Sequence, residues 1–483
     1  MTTFPTVPAS QFIAGAWRDG RGTATLDVID PATEKTVRSI TVCSEADVDE
    51  AVDAAADGMA AWKNTDAWTR SKVLRTVATI LHEWAPRAGE VMTTEQGKPL
   101  RESIAEWHAT ADQFDWYADE ARRNYGRLVD GHHVGHRIMV RREPIGIVAA
   151  FASWNFPALL PSRKIAPALA AGCAVIAKPA EEAPSSTLLI AEACRLAGVP
   201  DGAVAMLVGD PGMISARLIG NPLVRKVSLT GSVGVGRTLM HLAADSLTPV
   251  SLELGGHAPV LIFADADPVS TAQMLVASKF RNAGQVCASP SRFFVHRAIA
   301  EQFADAFAGT AAQLTLGSGL EDSTDVGPLT TESRLEAAAA LVGDAVSRGA
   351  EVRTGGRRAA DRAIGYFFEP TVLLGVDGGA RIMSEEPFAP VAPIATFDSM
   401  DEALTLANAT EFGLASYLFT KDLATAHLAA ENIAAGMVAV NTTYLATAEA
   451  PFGGVKSSGF GREGGSEGIA DYSTAKYVNM AIA

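Results

Sequence analysis

The sequence predicts an α/β protein, because two long regions alternate apolar strand runs with helical segments. In the first region, which starts at Ile145, the strand runs IGIVAAF, AVIAKPA, AVAMLV and KVSLTG are each followed by a helical pattern. The second region, residues 254–441, contains the strand runs APVLIF and SRFFVH and the helical segment AIAEQFADAFAGTAAQL. Such alternation is typical of βαβ units around a parallel sheet. We therefore expect two α/β domains.

Residues 45–122 are predicted to be helical. Apolar residues recur there at spacings of three and four, in ADVDEAVDAAADGMAAW, in RSKVLRTVATILHEWA and in a longer segment through Trp107, Phe114 and Tyr117. A region of short strands follows, in which GHRIMVRREPIGIVAAF contains two β-type runs separated at Glu143 and Pro144. The terminal run DYSTAKYVNMAIA also favours a strand. An unpaired edge there would be a liability, and a neighbouring subunit would cover it.

Size and charge limit the classes of function. A chain of 483 residues with 48% hydrophobic residues exceeds the size of a single core, so two or three domains are expected. The net charge of -15 argues against nucleic acid or an anionic membrane as the main partner. The longest apolar stretches, residues 145–151 and 165–176, are too short to span a bilayer.

The cellular compartment is expected to be the cytoplasm. The N-terminal segment MTTFPTVPASQFIAGAW has neither a basic region nor a long apolar run, and so it lacks the pattern of a signal peptide. Four cysteines in so long a chain do not make a disulfide framework, which fits a reducing compartment. Cys43, Cys173 and Cys194 lie in ordinary apolar or helical settings and are predicted to be inert.

Cys287 is the candidate nucleophile. It follows Gly284 and Gln285 in KFRNAGQVCASP, ahead of a predicted strand. A reactive thiol needs an approachable loop whose backbone N–H groups can also stabilise an oxyanion. A buried, unreactive cysteine is the alternative interpretation.

Glu253 and Asn155 each follow a predicted strand. Glu253 ends a strand in SLELGGHAPVLIF, and Asn155 in FASWNFP stands before a helix predicted to begin at Pro157. Polar groups at the carboxyl ends of strands point into the crevice where α/β proteins bind ligands. The alternatives are a surface glutamate before a turn and an asparagine that caps a helix or a turn.

A glycine-containing turn predicts binding of a dinucleotide in the first domain. LTGSVGVG places Gly231 and Ser232 between a strand and a helix, where phosphate can approach the backbone. Its spacing is not that of the full GxGxxG motif. Lys178 and Glu181 end the preceding strand run in AKPAEEAP and could hold ribose hydroxyls. The histidines of GHHVGH lack a cysteine or carboxylate at ligand spacing, so no metal is expected and an exposed turn is favoured.

Together these motifs closely resemble the aldehyde dehydrogenase superfamily. SWNFP, KPAE, TGSxxxG, LELGG, NAGQVC, EEPFAP, the segment around Asn441 and PFGGVKSSGFGRE all occur in family order and span nearly the whole chain. The resemblance implies a Rossmann-like NAD-binding domain (residues 1–123 and 144–253), a catalytic α/β domain (254–441) and an oligomerisation arm of β-strands (124–143 and 466–483). It also implies a homodimer or homotetramer.

The same resemblance assigns roles to individual residues. It implies that Cys287 is the nucleophile, that Glu253 activates the deacylating water, and that Asn155 and the Cys287 N–H form the oxyanion hole, with Lys178 also at the catalytic site. The cofactor is expected to be NAD, with NADP as the alternative. The implied cofactor-binding residues are Ser153, Trp154, Lys178, Pro179, Ala180, Glu181, Gly231, Ser232, Leu254, Gly255, Glu386 and Phe388.

The predicted substrate is a short aldehyde with a carboxylate, such as succinate or 2-oxoglutarate semialdehyde. Arg163 and Arg281 stand at motif positions that clamp the distal carboxylate in succinate semialdehyde dehydrogenases, a bidentate role for which arginine is suited. Two positions depart from that subgroup: Ala446 replaces a substrate-contacting serine, and Ser289 replaces a second cysteine. A structural ion pair is the alternative role for either arginine.

Three alternative functions remain from the sequence. A general aliphatic or aromatic aldehyde dehydrogenase would lack the carboxylate clamp. A CoA-acylating dehydrogenase resembles this chain but generally lacks the glutamate found here as Glu253. A non-catalytic binding protein with the same fold would have no need for Cys287, Glu253 and Asn155 together.

Overall fold

The computed structural model of the chain describes residues 2–482. The first half forms β1 (Gln11–Ile13), β2 (Ala16–Arg18), β3 (Thr25–Asp30), β4 (Lys35–Thr41), α1 (Glu45–Lys63), α2 (Ala67–Gln96), α3 (Leu100–Arg123), β5 (Arg127–Asp130), β6 (His136–Pro144), β7 (Ile147–Phe151), α4 (Leu159–Ala171), β8 (Ala174–Lys178), α5 (Pro184–Ala197), β9 (Val204–Met206), α6 (Pro211–Gly220), β10 (Val224–Thr230), α7 (Val233–Ser246) and β11 (Val250–Glu253). The strand and helix alternation predicted from Ile145 onward is confirmed.

The second half contains the other predicted α/β region and the terminal strand. It forms β12 (Ala258–Ile262), α8 (Pro268–Phe280), β13 (Pro290–His296), α9 (Ala300–Ala311), α10 (Glu332–Ser347), β14 (Glu351–Thr354), β15 (Thr371–Leu374), β16 (Val391–Phe397), α11 (Met400–Asn408), β17 (Ala415–Phe419), α12 (Leu423–Asn432), β18 (Met437–Val440), β19 (Gly459–Phe460), α13 (Glu467–Ala470) and β20 (Ser473–Ala481). The predicted α/β class is thus confirmed.

The helical segment predicted before the first α/β region is also confirmed, as α1, α2 and α3. The Asp66 side chain accepts hydrogen bonds from the backbone N–H groups of Trp68 and Thr69 at the start of α2. At its other end Gly97 has a φ of 98°, a left-handed conformation that stops the helix and directs Lys98 toward the next one. None of the helices among residues 2–482 is long and apolar enough to cross a lipid bilayer.

The first sheet has eight strands in the order β19-β11-β10-β7-β8-β9-β1-β2. Strands β11, β10, β7, β8 and β9 are parallel, and β7 and β8 are buried along their whole length. Their carboxyl ends therefore meet at one edge, and the order reverses at β7, which is where α/β sheets bind ligands. Antiparallel β1, β2 and β19 extend the sheet; they are two or three residues long and carry no periodic signal, so they were not predicted.

The second sheet has seven strands in the order β14-β15-β16-β13-β12-β17-β18. All neighbours are parallel except β14 and β15. A large apolar core packs around it, with Phe293, Phe303 and Phe307 inaccessible to solvent. This sheet gives the site a rigid second wall.

A third sheet, β20-β6-β5, is formed by a hairpin of β5 and β6 together with the terminal strand, so the two β-type runs separated at Glu143 and Pro144 lie in different sheets. Strand β20 pairs antiparallel with β6 from Ser473 opposite Pro144 to Ala481 opposite His136. Strands β3 and β4 form a separate two-stranded sheet that was not predicted. The division into domains made from the sequence stays a prediction.

Candidate active site

The carboxyl ends of the first sheet face the amino ends of the second sheet across an open cleft with about 570 Å³ of empty space. Its lining contains eleven predicted residues and two that were not predicted, Thr230 and Arg334. The lining residues are Ser153, Trp154, Asn155, Thr230, Gly231, Ser232, Glu253, Leu254, Gly255, Cys287, Arg334, Glu386 and Phe388. The cleft therefore brings together a thiol, an amide and two carboxylates from distant parts of the sequence.

The loop that carries Cys287 begins with a turn of unusual backbone conformation. Asn282, Ala283 and Gly284 have φ values of 48°, 51° and 75°, three left-handed residues in succession. Only a glycine fits at the third position, because a Cβ there would lie 2.2 Å from the Ala389 carbonyl oxygen. Left-handed residues that are not glycine are strained and persist where their surroundings hold them.

Two residues near the junction of α2 and α3 hold this turn. The Gln96 amide donates to Asn282 Oδ1 (2.9 Å), and the backbone N–H of Asn282 donates to Glu102 Oε2 (2.8 Å). Neither Gln96 nor Glu102 was predicted to belong to the site. Their only sequence signal is the EQGKPLRE segment between two helices, which suggests a turn rather than a catalytic role.

Cys287 is partly exposed to solvent, whereas Cys43, Cys173 and Cys194 are buried. Desolvation of the sulfur and the nearby carboxylates of Glu386 and Glu253 together raise the pKa of the Cys287 thiol to about 12, against a smaller lowering effect of Arg163. The resting group is therefore a neutral thiol. It has to lose its proton when it attacks, so a base is required nearby.

The Asn155 side chain is oriented by two hydrogen bonds. Its Nδ2 donates to the Gln285 carbonyl (3.1 Å), and its Oδ1 accepts from the Ser153 hydroxyl (2.6 Å). An amide nitrogen has two hydrogens, so one remains for a ligand in the cleft. Asn155 is not a helix cap: α4 begins at Leu159, two residues later than the predicted start at Pro157, because residues 153–158 form turns.

Glu253 ends β11 and is buried, with 4% of its surface exposed. Neither carboxylate oxygen has a hydrogen-bond partner within residues 2–482. Burial raises the pKa of Glu253 well above its usual value and the charge of Glu463 raises it further, while Lys164 and Arg163 lower it. An unpartnered carboxyl group with a raised pKa has the properties of a general base.

A second buried carboxyl group lies behind Glu253. Glu463 forms an ion pair with Lys164 Nζ (2.5 Å), and Lys164 also donates to Thr230 Oγ1 (2.6 Å). Neither Lys164 nor Glu463 was predicted to belong to the site. Glu463 is 210 residues distant from Glu253 in the sequence, and only the fold makes the two carboxyl groups neighbours.

Four predicted cofactor residues at the end of β8 are not among the residues that line the cleft: Lys178, Pro179, Ala180 and Glu181. Lys178 ends β8, and its Nζ lies 2.5 Å from Glu181 Oε1, so these two predicted ribose-binding residues are paired with each other. The adjoining Pro179 and Ala180 are buried and shape the turn rather than line the cleft. Ser232 caps α7 by accepting from the Val235 N–H, which leaves the helix N-terminus at the cleft.

Two aromatic rings and a carboxylate close the other end of the cleft. Trp154 and Phe388 meet edge to face, with centroids 5.5 Å apart. Glu386 accepts from the Gly256 N–H (3.1 Å), and a Cβ on Gly255 would lie 2.4 Å from Glu386 Oε2. Glycine at 255 therefore leaves room for the Glu386 carboxylate. The cleft, the helix N-terminus and the carboxylates fit a dinucleotide.

The two predicted substrate arginines lie on different elements and are not among the residues that line the cleft, although the charge of Arg163 acts on Cys287. Arg163 on α4 is 2% exposed, its guanidinium lies 4.3 Å from the Phe452 ring, and its Nε has no hydrogen-bond partner in the described chain. Arg281 is exposed and lies 5.1 Å from the Phe156 ring. Within residues 2–482 neither arginine has a carboxylate within 4.0 Å, so the ion-pair alternative is not what the structure shows. Ala446 is exposed in the loop after β18.

Arg334 is a cationic residue of the cleft that sequence reasoning missed. Its guanidinium lies 5.9 Å from the Phe388 ring, and its charge acts on Glu386. Because it belongs to α10 and to none of the recognised motifs, no sequence signal marked it. Of the histidines of GHHVGH, His132 and His133 lie in the turn between β5 and β6 and His136 begins β6, and none of them lines the cleft.

Comparisons with known proteins agree with this arrangement. The pattern of the aldehyde dehydrogenase family matches residues 17–478. A glutarate-semialdehyde dehydrogenase of Pseudomonas putida is 40% identical over 471 residues, which cover 98% of this chain and 97% of that protein. The NADP+-type succinate-semialdehyde dehydrogenase of Escherichia coli is 40% identical over 470 residues, 97% of each chain.

A crystal structure of succinate-semialdehyde dehydrogenase from Burkholderia pseudomallei has a TM-score of 0.96, with 40% identity and coverage of 99% of this chain and 98% of that chain. The match extends over both sheets and the arm, and the resemblance inferred from the motifs is confirmed. The chain belongs to the aldehyde dehydrogenase family and is an NAD(P)-dependent aldehyde dehydrogenase.

Proposed function

We propose that this enzyme oxidises a short aldehyde with a distal carboxylate, such as succinate or 2-oxoglutarate semialdehyde, to the corresponding acid. The observation that carries the proposal is Arg163: a buried guanidinium without a carboxylate partner, whose charge acts on both Cys287 and Glu253. A buried charge is costly unless it is paired, so an anionic ligand is the expected partner. The two relatives named for glutarate and succinate semialdehydes support the same substrate class.

The proposed first half-reaction takes place at Cys287. Its sulfur attacks the aldehyde carbon as the thiol proton passes to water in the cleft, which serves as the base, and the carbonyl oxygen becomes an oxyanion. The free Asn155 N–H and the backbone N–H of Cys287 stabilise that charge, with about 3 kcal/mol expected per donor. Bound NAD(P) supplies the hydride acceptor for the oxidation, and Cys287 is left as a thioester.

The second half-reaction is hydrolysis of that thioester. Glu253 accepts a proton from a water molecule, and the resulting hydroxide attacks the acyl carbon and breaks the C–S bond. The proton then passes from Glu253 to the leaving sulfur and restores the Cys287 thiol. The unpartnered oxygens of Glu253 leave both lone-pair directions available for this water. A glutamate in this position supports hydrolysis over acyl transfer to CoA.

Removal of either arginine tests the substrate assignment. We expect Arg163→Ala and Arg281→Ala to lower kcat/KM for succinate semialdehyde by about 10- to 100-fold, since a charged hydrogen bond contributes about 1.5–3 kcal/mol. The rate with butanal, a neutral aldehyde of the same chain length, should change less than about threefold. Arg297→Ala, at an exposed arginine paired with Asp398, serves as the control.

If wild type prefers butanal, or if both variants keep their efficiency toward the semialdehyde, the carboxylate clamp is wrong. General oxidation of aliphatic or aromatic aldehydes would then be the function that remains.

We also propose a homodimer or a dimer of dimers that joins through the arm. Strand β20 is an edge strand, and its Tyr477 and Met480 are 61% and 40% exposed. Leu128 of β5, at the other edge of the same sheet, is 70% exposed. Apolar side chains on an open strand edge favour pairing with another chain. This assembly and the three-domain division stay proposals.

A further inference from the structure

The backbone of Asn155 is held by Lys98, which lies outside the recognised motifs, and by Asn282, the first residue of the NAGQVC motif. Its carbonyl oxygen accepts two hydrogen bonds, from Lys98 Nζ (2.7 Å) and from Asn282 Nδ2 (3.0 Å). The first comes from the junction of α2 and α3, and the second from the turn before Cys287. The position of Asn155 is therefore set by contacts on both sides.

Lys98 uses all three of its ammonium hydrogens at this place. One is donated to Asn155 O, one to Glu106 Oε2 (2.6 Å), and the third faces the ring of Phe156, whose centroid is 4.2 Å away. The residue is 1% exposed. With three fixed contacts and no access to water, the ammonium group has a single orientation.

Glu106 connects the same pair to the start of α4. Its Oε1 accepts from the backbone N–H groups of Ala158 (2.9 Å) and Leu159 (3.1 Å). The residue at the N-cap position of α4 is Ala158, which has no polar side chain, so Glu106 on α3 provides the cap. The helix fixed in this way carries Arg163.

A buried ion pair is a poor stabiliser, because the cost of removing two charges from water offsets their attraction. Stability alone therefore does not account for Lys98 and Glu106, whereas fixed geometry at a reacting centre does. We propose that Lys98 and Glu106 are positioning residues that hold the Asn155 backbone so that its side-chain amide meets the oxyanion formed at Cys287. This inference rests on the oxyanion role given to Asn155 above.

A double-mutant cycle on the full-length enzyme tests it. The measured quantity is the rate constant of the first NADH burst at saturating NAD and succinate semialdehyde, for wild type, Lys98→Met, Asn155→Ala and the double variant. We expect Asn155→Ala to slow the burst by about 100-fold and Lys98→Met to slow it by about 10-fold. In the Asn155→Ala background, Lys98→Met should change the rate less than twofold, because the group it positions is gone.

A buried lysine elsewhere provides the matched control. Lys226 is 3% exposed and pairs with Asp471 at the far end of the first sheet. Lys226→Met should change the burst rate constant by the same factor in the wild-type background and in the Asn155→Ala background. The dissociation constant for NAD, measured by quenching of protein fluorescence, should be unchanged in Lys98→Met.

Glu106→Gln keeps the proposal testable if Lys98→Met does not fold. Its amide oxygen still caps α4 while the charge facing Lys98 is lost, so we expect a smaller slowing that again vanishes with Asn155→Ala. An equal factor in both backgrounds, for either variant, would overturn the positioning role alone. A wild-type burst rate in Asn155→Ala would overturn the oxyanion assignment, and with it this inference.

Discussion

At the scale of single residues, the ionisation of Glu253 follows from what surrounds it. Its carboxyl group lies between the negative Glu463 and the positive Lys164 and Arg163, in a place closed to solvent. Burial is the largest influence, and it favours the neutral acid. As the pH rises through the raised pKa, Glu253 loses its proton and becomes able to act as a base.

Replacement of this carboxylate should separate the two half-reactions. We expect Glu253→Gln to form the first equivalent of NADH at a rate within about threefold of wild type and to slow steady turnover by about 100-fold or more, as for loss of a general base. Rapid mixing with absorbance at the NADH band measures both phases. Equal slowing of the burst and of turnover would assign Glu253 another role.

The pH profile provides a check on the same residue. Wild-type turnover should rise with pH through a pKa above the ordinary value for glutamate, and this limb should be absent in Glu253→Gln. Since the Glu463 charge raises that pKa, Glu463→Gln should move the limb to lower pH.

Glu181 should make the enzyme prefer NAD over NADP. Its carboxylate is one-third exposed at the end of β8 and would accept from ribose hydroxyls while repelling a 2′-phosphate. The positive charge of Lys178 would reduce the repulsion of the 2′-phosphate, but its ammonium group is already paired with Glu181. We expect kcat/KM to be at least about tenfold higher with NAD than with NADP. In Glu181→Ser this ratio of the two kcat/KM values should be smaller.

Glu336→Ser, at an exposed glutamate of α10, is the control for this cofactor comparison. A higher efficiency with NADP in the wild type would mean that the Glu181 carboxylate does not face the ribose.

At the scale of elements, the arm contains an edge strand that should be covered in solution. Light scattering after size exclusion at micromolar concentration should give the mass of a dimer or a tetramer. Tyr477→Lys places a charge on the apolar edge of β20 and should shift the distribution to smaller species, whereas Leu423→Lys on exposed α12 should not. A monomeric wild type would contradict the proposed assembly.

The elements also show which sequence patterns predict structure well. The strands β7, β8 and β9 were predicted because parallel strands buried on both faces are nearly continuous apolar runs. The strands β1 to β4 were not, since they are short or partly exposed and follow no clear period. The first residue of a helix is harder to predict from the sequence than the helix itself. Helix α4, for example, begins at Leu159, where it is capped by Glu106 of another helix.

At the scale of the whole molecule, local patterns in the sequence specify the fold class, and they predict Cys287 as the nucleophile and Glu253 as the base. Burial periodicity specifies strands and helices locally, and the carboxyl ends of parallel strands share one edge, so Asn155, Lys178 and Glu253 had to lie together. Motif order then identified the family. The assignment of strands and helices depends only on residues that are close in sequence, whereas the order of the motifs extends over nearly the whole chain.

Which side chains meet across the cleft depends on the tertiary structure. Glu463 beside Glu253, Arg334 above Phe388 and Lys98 on the Asn155 carbonyl join residues that are far apart in the chain. Such contacts leave no periodic trace, because a buried charge is recognisable only from the partner that the fold brings to it. Local periodicity therefore fixes the framework, while long-range packing sets the ionisation and orientation of the groups that react.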